Sequence, residues 1–372
     1  MSQPRIYLDH AATTPILPAA KAAMMEAMER WANPSSPHAE GRAARAALED
    51  ARGRIKRALG WDGELIFTSG ASEAIEIAMK RSRRARRIIS PVEHDAVLRA
   101  APDAELLPMA DYWQEPEVLA GALTSGPPGI VAIQHVNSET GVVMLPSLGR
   151  KSPILAQIHD AGSILMCDCS QSTFVRSVAG HDPMNLLPEA DLYVLSAHKM
   201  GGPPGIGALL VRDLSLLEAA GGQEFGYRGG TENLPAAVGF AAALEAVIEQ
   251  PWTDQLADAV LEFKDFVWGQ GAHVPDRGGA YTDRIKAIAM PGLSARAQLI
   301  KFDQLGFAVS AGSACSSGSL KPSRVLKAFG VPDEVAERTI RVSFGWTTTA
   351  EDIRAFEQAW LRIADEARSR AA

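Results

Sequence analysis

The stretch GELIFTSGASEAIEIAMK, residues 63–80, decides the fold. Its opening, GELIFTSG, is apolar and aromatic enough for a buried strand that ends in a turn. Ser69 and Gly70 supply a small-residue turn, and the segment from Ala71 onward carries helical spacing. A strand that breaks directly into a helix is half of a β–α–β unit. The same kind of strand returns in RRIIS (86–90), GIVAIQHV (129–136), SILMCD (163–168), DLYVLS (191–196) and GIGALLV (205–211), with helical stretches between several of them. Upstream, HAEGRAARAALEDARGRIKRALG (38–60) puts Ala44, Leu48, Ala51, Ile55 and Leu59 on one helix face and closes with Gly60. This alternation predicts an α/β fold with a mostly parallel central sheet.

With 372 residues, the chain exceeds what one core ordinarily fills. The texture changes near residue 245, where PWTDQLADAVLEFKDFVWGQG (251–271) opens a run of amphipathic helix and short strands. The expected division is a large unit, residues 13–245, and a smaller α+β unit made of residues 1–12 and 246–372. A net charge of −7 argues against nucleic acid as the partner. Three cysteines, Cys167, Cys169 and Cys315, make no disulfide framework and suit a reducing compartment. The N-terminus lacks a secretory pattern and no apolar run is long enough to span a bilayer, so the expectation is a cytoplasmic protein with no membrane partner. The basic run KRSRRARR (80–87) reads as a solvated helix end and loop, with a docking patch as the alternative.

Several polar residues sit where sheet strands end. In FTSGASEAI (67–75), the helix start at Ala71 and Ser72 offers N–H groups and a hydroxyl to an anion, though Ser and Gly also serve as plain caps there. Asp168, in MCDCSQS, ends an apolar strand, either as a turn cap or as the partner of a buried cation. Strand alternation points Cys167 and Cys169 to the other face as core fillers, and C-D-C is no zinc spacing, so no metal is expected. Lys199 follows Asp168 by 31 residues, in SAHKMGGPPGIG (196–207), which brings both to one sheet edge. A lysine that forms a Schiff base and an aspartate facing a pyridinium nitrogen are the protein's parts of a pyridoxal phosphate (PLP) site. Ser196 and His198 would then reach the phosphate that Ser72 also meets. His94, in PVEHDAV, is either a structural loop residue or a flat ring that stacks and relays protons. Asn137 and Gln171 are neutral donors at further strand ends, suited to a cofactor ring hydroxyl or a substrate carboxylate. In VSAGSACSSGSLKPS (309–323), Cys315 lies among serines and glycines with no periodicity to bury it, the setting of a reactive thiol. Arg341, on the strand TIRVSFG, suits a carboxylate or an ordinary ion pair.

Together, YLDHAATTP, NPSSPH, FTSGASEAI, EHDAVL, HVNSETGVV, DCSQS, SAHKMGGPPGIGALLV, GYRGGTEN, GSACSSGSLKPSRVL and IRVSFG resemble, in order and over nearly the whole chain, the NifS/IscS-type cysteine desulfurases. These belong to the class V, fold-type I group of PLP enzymes. The resemblance implies that Lys199 bonds the cofactor, Asp168 pairs with its ring nitrogen, Gln171 with its ring oxygen, and His94 stacks on the ring. It implies that Ala71, Ser72, Ser196 and His198 hold the phosphate, with Thr231 reaching across a homodimer interface. It places the substrate carboxylate on Asn33, Asn137 and Arg341. Cys315 becomes the sulfur acceptor, which turns L-cysteine into L-alanine and passes a persulfide to an acceptor protein, for iron–sulfur cluster assembly or tRNA thiolation. Phe225 stands where the family often has arginine, and Ser138 where it has asparagine. A selenocysteine lyase, a class V aminotransferase and a non-catalytic scaffold with the same fold are the alternatives.

Overall fold

The computed structural model describes residues 5–107, 109, 116–145, 153–172, 187–249, 253–272, 280–312 and 323–371. In chain order its elements are β1 (Ile6–Tyr7), α1 (Pro18–Glu29), α2 (Ala39–Ala58), β2 (Glu64–Thr68), α3 (Ala71–Arg81), β3 (Arg86–Ile89), α4 (Asp95–Ala100), β4 (Glu105–Leu106), α5 (Pro116–Thr124), β5 (Gly129–Ala132), α6 (Pro153–Asp160), β6 (Ile164–Asp168), β7 (Leu192–Ser196) and β8 (Gly207–Val211). Then come α7 (Leu234–Glu249), α8 (Asp254–Gly269), β9 (Ile285–Ala289), α9 (Ala295–Gln304), β10 (Phe307–Ala308), α10 (Arg324–Ala328), α11 (Asp333–Ala336), β11 (Thr339–Ser343) and α12 (Ala350–Ala371).

Seven strands form one sheet in the order β2-β8-β7-β6-β5-β3-β4. Only β8 runs against its neighbours, β2 and β7; every other pair is parallel. The expected mostly parallel α/β sheet is therefore present. Strands β5 to β8 are buried along their whole length, because helices cover both faces and leave no polar side for alternation. Successive residues still part company: Leu65, Cys167 and Leu195 enter the core beneath α2 and α7, while Ile66, Met166 and Val194 enter the core beneath α3. The α2 stripe is buried as its spacing requires, with Leu48 and Ile55 fully enclosed. The edge strand β4 escapes sequence reading because it is two residues long and exposed.

A third buried cluster gathers Leu8 with Phe263, Phe302, Phe344, Phe356 and Trp360. Its centre is the stacked pair Phe302–Phe356, with ring centroids 4.7 Å apart. Beside it run the antiparallel pair β9–β11 and the parallel pair β1–β10. Val325, Leu326 and Phe329, late in the chain, pack instead into the core of the large sheet.

The basic run is used inside the fold. Arg81 donates to the carbonyl of Tyr227 (2.6 Å), Arg83 to that of Leu217 (3.3 Å) and Arg87 to those of Ala85 (2.8 Å) and Met79. Arg86 joins Glu105 (2.7 Å) and the Ala122 carbonyl (2.7 Å), which ties β3 to β4 and α5.

One ion pair is wholly enclosed. Arg52 of α2 grips Glu224 through two parallel bonds of 2.8 and 2.9 Å, and Glu224 also accepts from the Phe67 backbone (2.7 Å). Glu224 and Phe225 both take positive φ, 49° and 58°. That backbone costs energy for residues with a side chain, and the ion pair holds it in place. Phe225, in place of the family's usual arginine, lays its ring 5.0 Å from the Arg52 guanidinium, and the Phe67 ring lies 4.8 Å from it. Removing one partner of such a pair strands a buried charge. Arg52→Met is expected to lower the unfolding free energy by about 3–5 kcal/mol in urea titration, and a loss under about 1 kcal/mol would show that the pair does not brace the fold.

Candidate active site

Strands β2, β3, β5, β6 and β7 all end at one edge of the sheet, since β2 is antiparallel to β8 and β8 to β7. Ligands bind at that carboxyl edge in open α/β folds. A cavity of about 720 Å³ opens there, within the range of small-molecule sites. Asp168, Gln171, His94, Ser196, His198 and Lys199 all line it. So do Ala71 and Ser72 from the start of α3, and Arg341 from β11.

Local sequence explains each placement. Strand β7 ends on Ser196 and passes straight into one turn of 3₁₀ helix, Ala197–Lys199, which lifts the lysine off the sheet. The turn before α3 rests on Gly70, at φ 153°, and strand β8 passes so close that a Cβ on Gly207 would lie 2.8 Å from the Gly70 Cα. A side chain at 207 would collide with the turn that starts α3. The first-turn N–H groups of α3 have no acceptor within the helix and face an anion well.

The N-terminal segment holds the lysine turn. Thr14 N donates to the His198 carbonyl (2.9 Å) and Thr14 Oγ1 to the Lys199 carbonyl (3.1 Å). Thr13 Oγ1 meets His198 Nδ1 at 3.1 Å, and Gln171 Nε2 donates to the Ala11 carbonyl (2.9 Å). On the far side of the same segment, Ala11 N donates to Ser343 Oγ of β11 (2.9 Å).

Electrostatics set the protonation states. Burial, aided by the positive charge of Lys199, holds the pKa of His94 below the ordinary imidazole value. His94 Nδ1 accepts from Ala96 N (3.2 Å), so the neutral ring carries its proton on Nε2. His198 is also shifted down, by burial and by Lys199. Asp168 is 8% exposed and is fixed by the Ser170 backbone donating to Oδ1 (2.9 Å). Beside it, fully buried Glu93 takes a bond from Gln134 N (2.8 Å), and burial drives its pKa well up.

Some expected site residues stand elsewhere. Asn137 does not line the cavity. Its Oδ1 accepts from Glu139 N (3.0 Å) and Thr140 N (2.9 Å), and its amide donates to the Val92 carbonyl (3.2 Å), so it caps a turn while its neighbours Ser138 and Glu139 face the cavity. Asn33 is exposed in the turn before α2, where its Oδ1 accepts from Ser35 N (2.8 Å). Thr231 is exposed away from the cavity wall. Cys315 lies outside the described residues. Cys167 and Cys169 are fully buried, their sulfurs 3.5 Å apart, as core fillers. Among the described residues no cluster of metal-ligating side chains occurs, and no helix is long and apolar enough to cross a membrane. Glu93, Glu139 and Arg324 line the cavity without having been read from the sequence.

The cavity suits PLP on its own chemistry. A helix start and two serine hydroxyls answer a phosphate, a carboxylate answers a pyridinium, and a lysine answers an aldehyde. Three buried polar atoms of residues that line it, Glu93 Oε2, Ser170 Oγ and Arg341 Nε, have no hydrogen-bond partner among the described residues, as expected where a polar ligand completes the network.

Residues 6–356 match the family model for class-V aminotransferases. A cysteine desulfurase IscS of Dictyoglomus turgidum is 33% identical over 98% of this chain and 95% of its own length. A cysteine desulfurase of Cereibacter sphaeroides is 35% identical over 95% and 94%. The solved NifS-like protein of Rickettsia africae superposes with a TM-score of 0.81 at 27% identity, covering 97% of this chain and 99% of that one. The chain belongs to the class-V aminotransferase family, among its NifS/IscS-type cysteine desulfurases. A further solved structure, SspA in complex with cysteine, gives a TM-score of 0.74 at 29% identity, over 91% of this chain and 98% of that one. PLP is the cofactor of this family.

Behind Lys199 the desulfurase fold encloses His10, 4% exposed, with its pKa pushed down to about 4 by burial and by the nearby Arg284. Between the unfolded value of 6.5 and about 4, the unfolded chain therefore binds more protons at this site than the folded one. The contribution of neutral His10 is complete above pH 6.5 and is lost as pH falls toward 4. The stability advantage of the natural protein over His10→Gln is expected to shrink steadily on acidification across that window in paired denaturation curves; an advantage that grows would contradict the assignment.

Proposed function

We propose that this cavity takes L-cysteine on PLP and yields L-alanine, with the sulfur leaving as a persulfide on Cys315. What supports the reading above all is that Lys199, Asp168, His94 and Arg341 meet on the wall of one cavity although 247 positions of chain separate the first and last of them. In SspA, a relative of similar fold, cysteine is the bound ligand.

Bound there, PLP supplies an aldehyde for the substrate amine and a ring that withdraws electrons from the substrate Cα. Asp168, fixed by the Ser170 backbone, keeps a proton on the ring nitrogen. Ala71 and Ser72 at the start of α3, with Ser196 and His198, hold the phosphate, and Thr13 orients the His198 ring. Gln171, which lines the same wall, would meet the ring oxygen. Arg341 takes the substrate carboxylate, with Asn33 and Asn137 completing that seat after local rearrangement. Lys199 Nζ removes and returns the proton at Cα, and neutral His94 passes a proton through Nε2. The Cys315 thiolate attacks the substrate sulfur. One S–S bond forms, the Cβ–S bond breaks, and the carbon that keeps the electron pair is protonated to give alanine.

The same reading makes residues 13–245 a cofactor-binding unit and residues 1–12 with 246–372 a smaller unit, supported by the cluster that joins Leu8 to Phe263, Phe302 and Phe356. It makes the protein a cytoplasmic homodimer in which Thr231 serves the partner's phosphate. The persulfide goes to an acceptor protein of iron–sulfur cluster assembly or tRNA thiolation.

The test is incubation of the PLP-loaded protein with L-cysteine while alanine and protein persulfide are followed. Cys315→Ala is expected to keep the visible absorbance of the bound cofactor and to lose both products; alanine formed at the natural rate would refute the role of Cys315. His94→Gln is expected to lower kcat by roughly 10²–10⁴-fold. Because His94 is shifted down, its neutral form persists below pH 6.5, and the His94-dependent loss of kcat appears only on the acid side of that value.

A further inference from the structure

Arg341 reaches the cavity already paired. Its side chain is 6% exposed, and its NH2 donates to Asp9 Oδ1 at 2.9 Å. NH1 donates to the Ser138 carbonyl (2.9 Å), which leaves Nε buried on the cavity wall with no partner among the described residues. A second carboxyl, Glu139, also feels the Arg341 charge and is anchored by the Ser323 hydroxyl. Asp9 is fixed in position. Its backbone bridges to Ser343 of β11, and its carbonyl accepts from Ala12 N (3.1 Å) and Tyr7 Oη (3.1 Å). It lies within the field of Lys199 as well.

We propose that Asp9 sets substrate affinity, as the resident counter-anion of the carboxylate seat at Arg341. The proposal rests on the reading of Arg341 given above. A guanidinium this buried is costly without an anion, and Asp9 meets that need while the seat is empty. An arriving carboxylate must share the guanidinium with Asp9. Two like charges on one cation repel, so the seat grips less tightly than Arg341 alone would. Substrate and product carry the same α-carboxylate, so this loosened grip applies to both, and the alanine that forms is not trapped by the seat that admitted cysteine. Asp9 is thus a positioning residue that acts through Arg341.

The experiment measures binding of L-alanine to the PLP-loaded protein by calorimetry, with L-alaninamide, which lacks the carboxylate, as control. Asp9→Asn and Asp9→Ser keep a hydrogen-bond acceptor and remove the charge. Both are expected to bind L-alanine roughly three- to tenfold more tightly, to lower KM for L-cysteine in step, and to bind L-alaninamide no more tightly than the natural protein. A mere brace for Arg341 predicts the opposite sign. L-Alanine bound equally or more weakly by both folded variants, while Arg341→Gln weakens it, would overturn the role of Asp9 alone. If Arg341→Gln leaves L-alanine binding intact, the carboxylate seat itself is wrong and the proposal falls with it. Thermal unfolding of each variant confirms that it is folded.

Discussion

A strip of ten residues near the amino terminus keeps the two halves of the site in register. On one side, Leu8 pairs with the Ala308 carbonyl and accepts from Ser343 N, while Ala11 takes the Ser343 hydroxyl. On the other, Thr14 and Leu17 hold the carbonyls of His198, Lys199 and Gly201. The lysine that carries the cofactor chemistry and the arginine that receives a carboxylate stand on different sheets. This strip spans the gap between them, and the bond from Arg341 to the Ser138 carbonyl adds a second tie. The strip's short bonds, all near 3 Å, leave little room for one wall of the cavity to drift against the other.

The remaining polar groups follow from the same edge. The strand segments beneath this edge are mostly apolar, so the site's charged groups gather where the strands stop. Each stop is then stiffened by backbone: Ser170 N on Asp168, Ala96 N on His94, and the near-contact of Gly207 with Gly70 under the start of α3. Preorganised groups of this kind need not reorganise when a ligand arrives. Arg324 adds a clamp from the other direction, reaching the carbonyls of Pro91 and Glu93 (2.6 Å) and so tying α10 to the loop that carries His94.

Much of this was legible in the sequence. The strand–turn–helix at 63–80, the stripe on α2, and Asp168 and Lys199 at successive strand ends all follow from periodicity and from the cost of a carboxylate after apolar residues. What escaped was set by distant contacts. Asp9 and Arg341 lie 332 positions apart, and nothing in LDHAATTP marks its aspartate as a counter-ion. Glu93 and Glu139 are single carboxyls whose character comes from burial, and spacing does not report burial. Asn137 shows the converse. The sequence placed it at a strand end with an amide to offer, but a tight turn takes up its oxygen. Cys315 was identified by composition alone, and it lies outside the described residues.

The arginines of residues 80–87 have a meaning beyond the fold. Arg81, Arg83, Arg86 and Arg87 each donate to carbonyl oxygens, which fixes where their charges stand without cancelling them, while Glu105 pairs with Arg86 alone. The molecule as a whole still carries a net charge of −7. Viewed from a Debye length away, it is an acidic body, and long-range steering toward it favours partners with basic faces.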